Sequence, residues 1–518
     1  MKRSLAERMQ EKPGLFLAIF TAIYALGSVA AASRRNFFFD EIMTSYLADL
    51  PNIGQIWPLI AKGIELNPPL PFWVTWIIHH LTGGGEVTSR IPAMVGFWLM
   101  CFCLYHFVRR RCGRIFGFVA LLLPVFTYPS WDSAVARGYG LMLGMSALAL
   151  LSWQAALDGT RRLAALAGLA LGIAGAVSCH YYAVYVAGAI GLGETVRSLD
   201  RRKIDAGVWI SLAAGLSPLV FYAELIRSAS AGASKNFWVS ALPRFIYASY
   251  ADLPGPTAMV LILLLTIMLW SSRERAGEED ESTDIRWKPS ALRRHETAAC
   301  FVLAGMPLVF YIAGVLANVP FFTRYVEPVT IGFTVIITAF AHRIGGRSPR
   351  FQRVLISLLV FCCLLPWVLW QGFKVVGSRP PSRYLETRPP LPLDLGLPIA
   401  FDSESDFIEF YYYGGPAVRS KIYCLLNNQA AIRFRGSDTA QRSIAVAQTI
   451  RELHVVDYHA FLGANPEFLV ARMREEGWLV QSLLADGAQI QLIDLRKDLG
   501  YYADSSSYYH VRMPGRTP

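Results

Sequence analysis

The sequence predicts a polytopic α-helical membrane protein of about eleven transmembrane helices followed by a C-terminal α/β domain. Three observations lead there. Apolar residues make up 54% of the 518 residues and charged residues only 17%, a balance unusual for a soluble protein of this size. Apolar segments of a length that crosses a hydrocarbon core recur through the first two thirds of the chain. Beyond them, Pro380, Pro381, Pro389, Pro390, Pro392 and Pro398 interrupt the pattern, and the residues that follow are mixed in character.

Taken in order, the apolar segments run over residues 15–33, 90–108, 115–130, 138–157, 163–179, 181–196, 207–226, 256–271, 298–317, 325–342 and 353–371. The first is too long for a signal-peptide core and no small-residue cleavage site follows it, so it reads as a retained anchor. Lys and Arg stay on the cytoplasmic side of a membrane. With the N-terminus inside, the inner loops collect Arg109, Arg110, Arg111, Arg114, Arg161, Arg162, Arg201, Arg202 and Lys203, and later Arg286, Arg293, Arg294, Arg343, Arg347 and Arg350. The outer loops are longer and carry fewer. An odd number of crossings then puts the C-terminal region outside, which in a bacterium is the periplasmic face of the inner membrane.

The division that follows is a transmembrane domain over 1–372 with a long first outer loop at 34–89, a Pro-rich linker at 373–398 and an extracytoplasmic α/β domain at 399–518. The net charge of +11 belongs to the first of these, because Lys plus Arg and Asp plus Glu are equal in number from residue 373 onward. Topology and anionic lipid head groups account for it, and it gives no support to nucleic-acid binding. The eight cysteines have neither the spacing of a disulfide framework nor that of a metal site.

In the first outer loop, Ile53, Ile56, Trp57, Ile60 and Ile64 recur at helical spacing, as in an interfacial amphipathic helix. Asn67-Pro68-Pro69-Leu70-Pro71 stiffens the backbone before the apolar run Phe72–Leu81, which is too short to span and reads as a segment that dips into the bilayer edge. The charged stretch Arg273–Arg294 is a solvated inner loop. In the C-terminal domain, strands are expected at Pro398–Phe401, Lys421–Leu425, His454–Tyr458 and Ile490–Leu495. Helices are expected at Glu404–Tyr413, Thr439–Glu452 and Pro466–Glu476, and the alternation predicts an α/β layer fold.

Ionisable groups at membrane depth are costly unless they face protein or water, so they mark function. The outer-face set is Asp40, Glu41, Asp132, Arg137, His180, Lys235 and Arg324. Carboxylates beside arginines suit a substrate with an anionic phosphate and a hydroxyl that must lose a proton: a carboxylate takes the proton and guanidinium groups grip phosphate oxygens. Each residue also has a plain structural reading. Asp40 and Glu41 would cap a helix N-terminus; Asp132 would be a loop or cap residue; Arg137 would snorkel to the interface. His180 would sit in a tyrosine belt, and Arg324 would pair with Glu327 three residues on.

In sequence order, Asp40-Glu41 after the first helix, Asn67-Pro68-Pro69-Leu70, Ala136-Arg137-Gly138-Tyr139, His180-Tyr181-Tyr182 and Phe321-Phe322-Thr323-Arg324-Tyr325-Val326-Glu327-Pro328 resemble the membrane glycosyltransferases of the GT-C class. The likeness covers about residues 12–345. It is strongest to the bacterial lipopolysaccharide-core and dolichyl-phosphate-mannose-like enzymes, a family that includes the aminoarabinose transferases of lipid A and the protein O-mannosyltransferases. The resemblance implies transfer of a sugar, with inversion, from a polyprenyl phosphate to a hydroxyl of a lipid, glycan or protein acceptor at the outer face of the cell-envelope membrane. It makes Asp40 the base, with Glu41 beside it as a substrate or metal contact. Arg137 would hold the donor phosphate, with Arg324 and Lys235 assisting and Tyr139, His180, Tyr181 and Tyr325 lining the donor site.

Two departures stand out. The family often has His before the Pro-Pro pair, where this chain has Asn67, and often an acid close before the arginine, where it has Val135 and Ala136. The first puts a His-dependent metal site in doubt, and the second leaves Asp132 as the substitute acid. Divalent-metal dependence varies within the class and the sequence leaves it open. The alternative from another class is a lipid or glycan transporter, which would line the bilayer midplane with charge and repeat its halves; the candidate charges lie at one face and no repeat is evident.

Overall fold

The structure is a computed structural model. It describes residues 4–514 apart from 160, 237–241, 254–265, 267–290, 318–321, 346–347, 366, 370–371, 373–375, 377–380, 389, 474–476 and 498–504. The expected apolar segment at 256–271, save residue 266, and nearly all of the Arg273–Arg294 stretch therefore lie outside the described residues, as do parts of the Pro-rich linker. The chain divides into two compact units. One comprises Met1–Ala32, Arg90–Tyr222 and Ala241–Val376; the other comprises Ser33–Ser89, Ala223–Ser240 and Gly377–Pro518.

The first unit is a helical bundle. Among the described residues, Pro13–Ala32, Glu86–Cys112, Tyr139–Leu157 and Arg162–Cys179 are long and apolar enough to cross a membrane. Two bent pairs, Ala206–Phe221 with Ala223–Ala229 and Arg294–Ala304 with Met306–Leu316, raise the number to six if each is one span. The first pair breaks at Tyr222, whose non-helical backbone (φ −84°, ψ 5°) ends the turn Pro218–Phe221, and Gly305 and Pro307 interrupt the other pair. The segments expected at 115–130 and 325–342 are the shorter apolar helices Arg114–Phe126 and Val329–Gly345. The one expected at 181–196 is Val184–Arg201, whose second half carries Glu194, Arg197, Asp200 and Arg201. Leu15, Ile19 and Leu26 on the first helix face outward, as a lipid-facing surface requires.

Small residues let these helices approach. A Cβ on Gly140 would run into the Ala93 carbonyl, and one on Gly144 into the Gly96 carbonyl, so the Glu86–Cys112 and Tyr139–Leu157 helices meet backbone to backbone along a glycine seam. Such close contacts replace the hydrophobic driving force that is absent between helices in lipid. Gly332 meets the Cys300 carbonyl in the same way.

At the end of the bundle that carries the Arg109–Arg111 run, charges are buried in pairs. Glu296, fully buried, accepts two hydrogen bonds from Arg111 Nε and a third, at 2.6 Å, from Arg111 Nη2, together with one from Gln154 Nε2. Arg111 also binds Asp158 at 2.9 Å. Glu194, likewise fully buried, accepts from Trp153 Nε1 and Arg197 Nη1, and Arg197 reaches Asp205, which Arg162 also holds. Arg111 and Arg162 are thus more than topological charges: they neutralise carboxylates that burial would otherwise disfavour. Burial works against the charge of Asp158, yet the Arg111 hydrogen bond and the charges of Arg111 and Arg293 outweigh it and hold the carboxyl below its ordinary range.

In the second unit, the first loop folds as the helix Phe39–Ala48, a short 3-10 turn Ile53–Gln55, the helix Ile56–Ala61 and the helix Leu70–Thr82. The expected amphipathic helix is shorter than its periodicity suggested, since Gly63, at φ 95°, ends it; of its expected apolar face Ile56, Ile60 and Ile64 are buried, together with Leu59, while Ile53 and Trp57 are half-buried. The run Phe72–Leu81 lies inside Leu70–Thr82, which ends at Gly83 with φ 79°.

The C-terminal part of this unit is a six-stranded sheet in the order β3-β2-β1-β4-β6-β5, formed by β1 Ile399–Phe401, β2 Ile422–Leu426, β3 Val455–Asp457, β4 Glu467–Arg472, β5 Gln489–Lys497 and β6 Ser505–Arg512. β1 to β4 run parallel and β6 antiparallel to its neighbours. Four strands fall where expected. The helix Glu404–Tyr413 has the expected bounds, and Thr439–Ala447 ends sooner than expected. The expected helix at Pro466–Glu476 is instead β4. Its continuous apolar run Phe468–Ala471 is buried between β1 and β6, and a short apolar run fits a buried strand as well as a helix until its partners are known. β6 begins with three serines and gave no strand signal. Asp402, at the end of β1, accepts from Arg472 Nε and from the backbone N–H groups of Gly477, Leu479 and Val480, which locks the strand end to the start of the helix Leu479–Ala485.

Gly140→Val should lower stability in detergent by about 2 kcal/mol or more, because overpacking against backbone has nowhere to relax. Gly188→Ala, at an exposed helix position with open space around it, should be neutral or stabilising by up to about 1 kcal/mol; thermal unfolding of both variants checks the contrast. Arg111→Met strands Glu296 and should cost about 3–5 kcal/mol. Because the native carboxyl of Asp158 is held low, its contribution is complete at neutral pH and is lost as pH falls through and below the ordinary carboxylate range; melting curves of the parent and Asp158→Asn should converge there.

Candidate active site

The acidic pair opens a helix. Phe38 is extended (φ −99°, ψ 176°), and Asp40 and Glu41 occupy the first turn of Phe39–Ala48. Glu41 is fully buried and its Oε2 lies 3.5 Å from the Phe38 N–H, so the capping reading describes part of its role. Asp40 is half-buried, and its carbonyl accepts from the Thr44 hydroxyl. A helix N-terminus favours both negative charges. Ile42, Met43, Leu47 and Ala48 anchor the helix in the second unit. Pro69 directly precedes the Leu70–Thr82 helix, and Trp76 Nε1 donates to the Leu50 carbonyl, tying that helix to the end of the acidic one. Lys235 lies in the same unit on the helix Ala223–Asn236; its side chain is outside the described residues.

In the first unit, the remaining candidates gather around His180. That residue ends the helix Arg162–Cys179 in an extended conformation and is nearly fully buried. Its ring centroid lies 5.6 Å from that of Tyr139, 5.3 Å from Tyr182 and 5.2 Å from Tyr325, and the last two are 5.2 Å apart. Nδ1 of His180 accepts from the Tyr182 backbone N–H at 3.3 Å, which places the proton of the neutral ring on Nε2. Burial, and then the positive charges of Arg137 and Arg324, push its pKa down to about 3. The imidazole is a neutral donor and not a cation.

Arg137 is buried just ahead of the Tyr139–Leu157 helix. Arg324 lies over the Phe322 ring at 4.8 Å in the turn Thr323–Val326. Asp132 faces Glu327, which is fully buried one residue past that turn. Burial, the Asp132 charge and a hydrogen bond between the two carboxyls push Glu327 well above the ordinary carboxylate range, against the pull of Arg324. The neutral, protonated form of Glu327 is therefore favoured. The structure thus assembles Asp132, Arg137, Tyr139, His180, Arg324 and Tyr325. Tyr181 packs edge-on against Tyr222, whose hydroxyl donates to Ser178.

Sequence reasoning had Glu327 only as a local partner of Arg324, and did not single out Tyr182. The i+3 spacing could not disclose the carboxyl across from Glu327, whereas the Tyr181-Tyr182 doublet was a signal for a ring beside His180. Among the described residues, no group of three or more His, Cys, Asp or Glu side chains is arranged to hold a metal ion.

A family model described as dolichyl-phosphate-mannose-protein mannosyltransferase matches residues 66–226. No curated protein matches in sequence. Among solved structures, ArnT from Cupriavidus metallidurans bound to undecaprenyl phosphate is similar at a TM-score of 0.55 and 13% identity, over 95% of this chain and 98% of that one. The same protein in the apo state is similar at 0.54 and 12%, over 96% and 98%. The resemblance to GT-C glycosyltransferases is borne out at the level of fold, and the chain is a polytopic integral membrane protein.

His180 carries a prediction. The unfolded chain protonates it near its ordinary value of 6.5, while the native state resists until about 3, so this residue takes stability away as pH falls from about 6.5 towards 3. His180→Gln should show a smaller drop in melting temperature between pH 7 and pH 4 than the parent.

Proposed function

We propose that this chain, with its GT-C fold, is an inverting glycosyltransferase that moves a sugar from a polyprenyl-phosphate donor to a hydroxyl acceptor at the outer face of the bacterial inner membrane. The observation that carries the reading is the pair of arginines, Arg137 and Arg324, set around a neutral, buried His180 within a cluster of tyrosines. Two guanidinium groups at a helix-end cluster suit a phosphate. Tyrosine rings offer apolar faces to a sugar and hydroxyls for its oxygens. The structural relative bound to undecaprenyl phosphate supports a donor of that class.

In the reaction, the acceptor oxygen bonds to the anomeric carbon as the bond from that carbon to the phosphate oxygen breaks. The acceptor proton passes to the Asp40 carboxylate, with Glu41 beside it as a substrate contact. The leaving polyprenyl phosphate departs with the electron pair of the broken bond, and Arg137, Arg324 and Lys235 stabilise the charge that develops on it. Tyr139, Tyr181 and Tyr325 contact the donor, and His180 donates from Nε2. Asp132 is the second acid. It faces Glu327, whose carboxyl is held in its protonated form.

The test is transfer of radiolabelled sugar from a panel of polyprenyl-phosphate sugars in proteoliposomes. Asp40→Asn should lower kcat by about 10²–10⁴-fold with donor binding retained, and Arg137→Gln should weaken donor binding as well as turnover. Undiminished transfer by Asp40→Asn would move the base to Glu41 or Asp132. No transfer from any donor by the parent, with labelled lipid moving across the bilayer, would favour a transporter.

A further inference from the structure

The acidic helix Phe39–Ala48 is gripped along its whole length by side chains from the C-terminal part of the same compact unit. Ahead of its first turn, the Tyr413 hydroxyl accepts the Phe37 N–H at 2.7 Å and donates to Glu86 Oε1 at 3.4 Å. In its middle, the Tyr412 ring packs on Phe37 and Tyr46, at 5.9 and 6.1 Å, and its hydroxyl bonds to Ser45. At its end, Arg451 lies over the Tyr46 ring at 5.1 Å and binds Asp49 Oδ2 at 2.7 Å.

The other oxygen of Asp49 is taken as well. His79 Nδ1 lies 3.0 Å from Asp49 Oδ1, and His79 Nε2 lies 2.7 Å from Ser89 Oγ, which donates in turn to the Gly85 carbonyl at 2.9 Å. Ser89 is 1% exposed, so this relay is a tether and not a nucleophile. Asp49 is therefore a hub held from two sides, by the Leu70–Thr82 helix and by the loop before β3.

We infer that the C-terminal α/β region serves as a brace for the acidic helix, with Tyr412, Tyr413 and Arg451 acting as positioning residues that set where Asp40 and Glu41 point. The inference rests on the glycosyltransferase reading for its consequence in catalysis, but not for the brace itself. A rigid helix turns at both ends if either grip is lost, and its first-turn carboxylates then leave the geometry a proton transfer needs. Displacements of about 1 Å at a reacting group lower rates by up to about a hundredfold. The region is thus a working part of the reaction and not an appended recognition module.

The experiment uses the full chain in proteoliposomes, with Arg451→Gln, Arg451→Lys, Tyr413→Phe and the Arg451→Gln/Tyr413→Phe double variant. Arg451 and Asp49 are partly exposed, so the single charge variants should fold. Hydrogen exchange of peptides covering residues 39–49 should rise about tenfold or more in the double variant, with the peptides of β1 and β2 unchanged. With the same preparations, kcat should fall about tenfold or more while KM for the donor stays within about twofold, and Arg451→Lys should recover most of the rate. Unchanged exchange at 39–49 would overturn the brace. Raised exchange with unchanged kcat would overturn the positioning role. If the parent transfers no sugar, the glycosyltransferase reading fails by itself, and the exchange experiment still decides whether the brace exists.

Discussion

The close approach of the Glu86–Cys112 and Tyr139–Leu157 helices is the constraint from which the helical unit is built. Glycine faces carbonyl along the seam made by Gly96, Gly140 and Gly144, and no other residue allows that distance. Because backbone contacts backbone there, the two helices cannot slide past one another. Their carboxyl ends then meet in register, where Arg111 binds Asp158 and Glu296. The other end of the seam places Arg137 and Tyr139 next to His180.

The two ends of the bundle treat charge differently. At the Arg111 end, each buried carboxylate is neutralised by guanidinium hydrogen bonds. Around His180 the burden falls on two arginines and a carboxyl pair, and the balance holds the imidazole neutral and Glu327 protonated. Groups displaced from their ordinary charge states in this way are placed to bind an anion or handle a proton. The matched pairs at the Arg111 end resist unfolding.

The second unit shows how a loop becomes structured when a remote segment binds it. Residues 33–89 have no long apolar helix of their own, yet Tyr412, Tyr413, Arg451 and Ser443 of the C-terminal region hold them; Ser443 Oγ donates to the Ile64 carbonyl at 2.7 Å. The sheet beneath that contact depends on Asp402, whose carboxylate gathers the Arg472 side chain and three backbone N–H groups. A carboxylate so fully engaged is structural.

The sequence by itself determined the apolar segments, their order, the change of character across the proline-rich stretch and most of the strands, because periodicity and composition are local properties. It also marked Asp40, Glu41, Arg137, His180 and Arg324, since ionisable residues stand out against apolar surroundings. Tertiary structure alone decided which of these meet. It brought Arg137 and Arg324 to His180, set Asp132 against Glu327 and joined Asp49 to His79 and Arg451 across 402 positions. It also turned Glu467–Arg472 into a strand, where a helix had been read, by supplying β1 and β6 as hydrogen-bonding partners. Sequence pattern records which face of an element is apolar, and not which distant face it will be buried against; for buried charges that partner determines the protonation state.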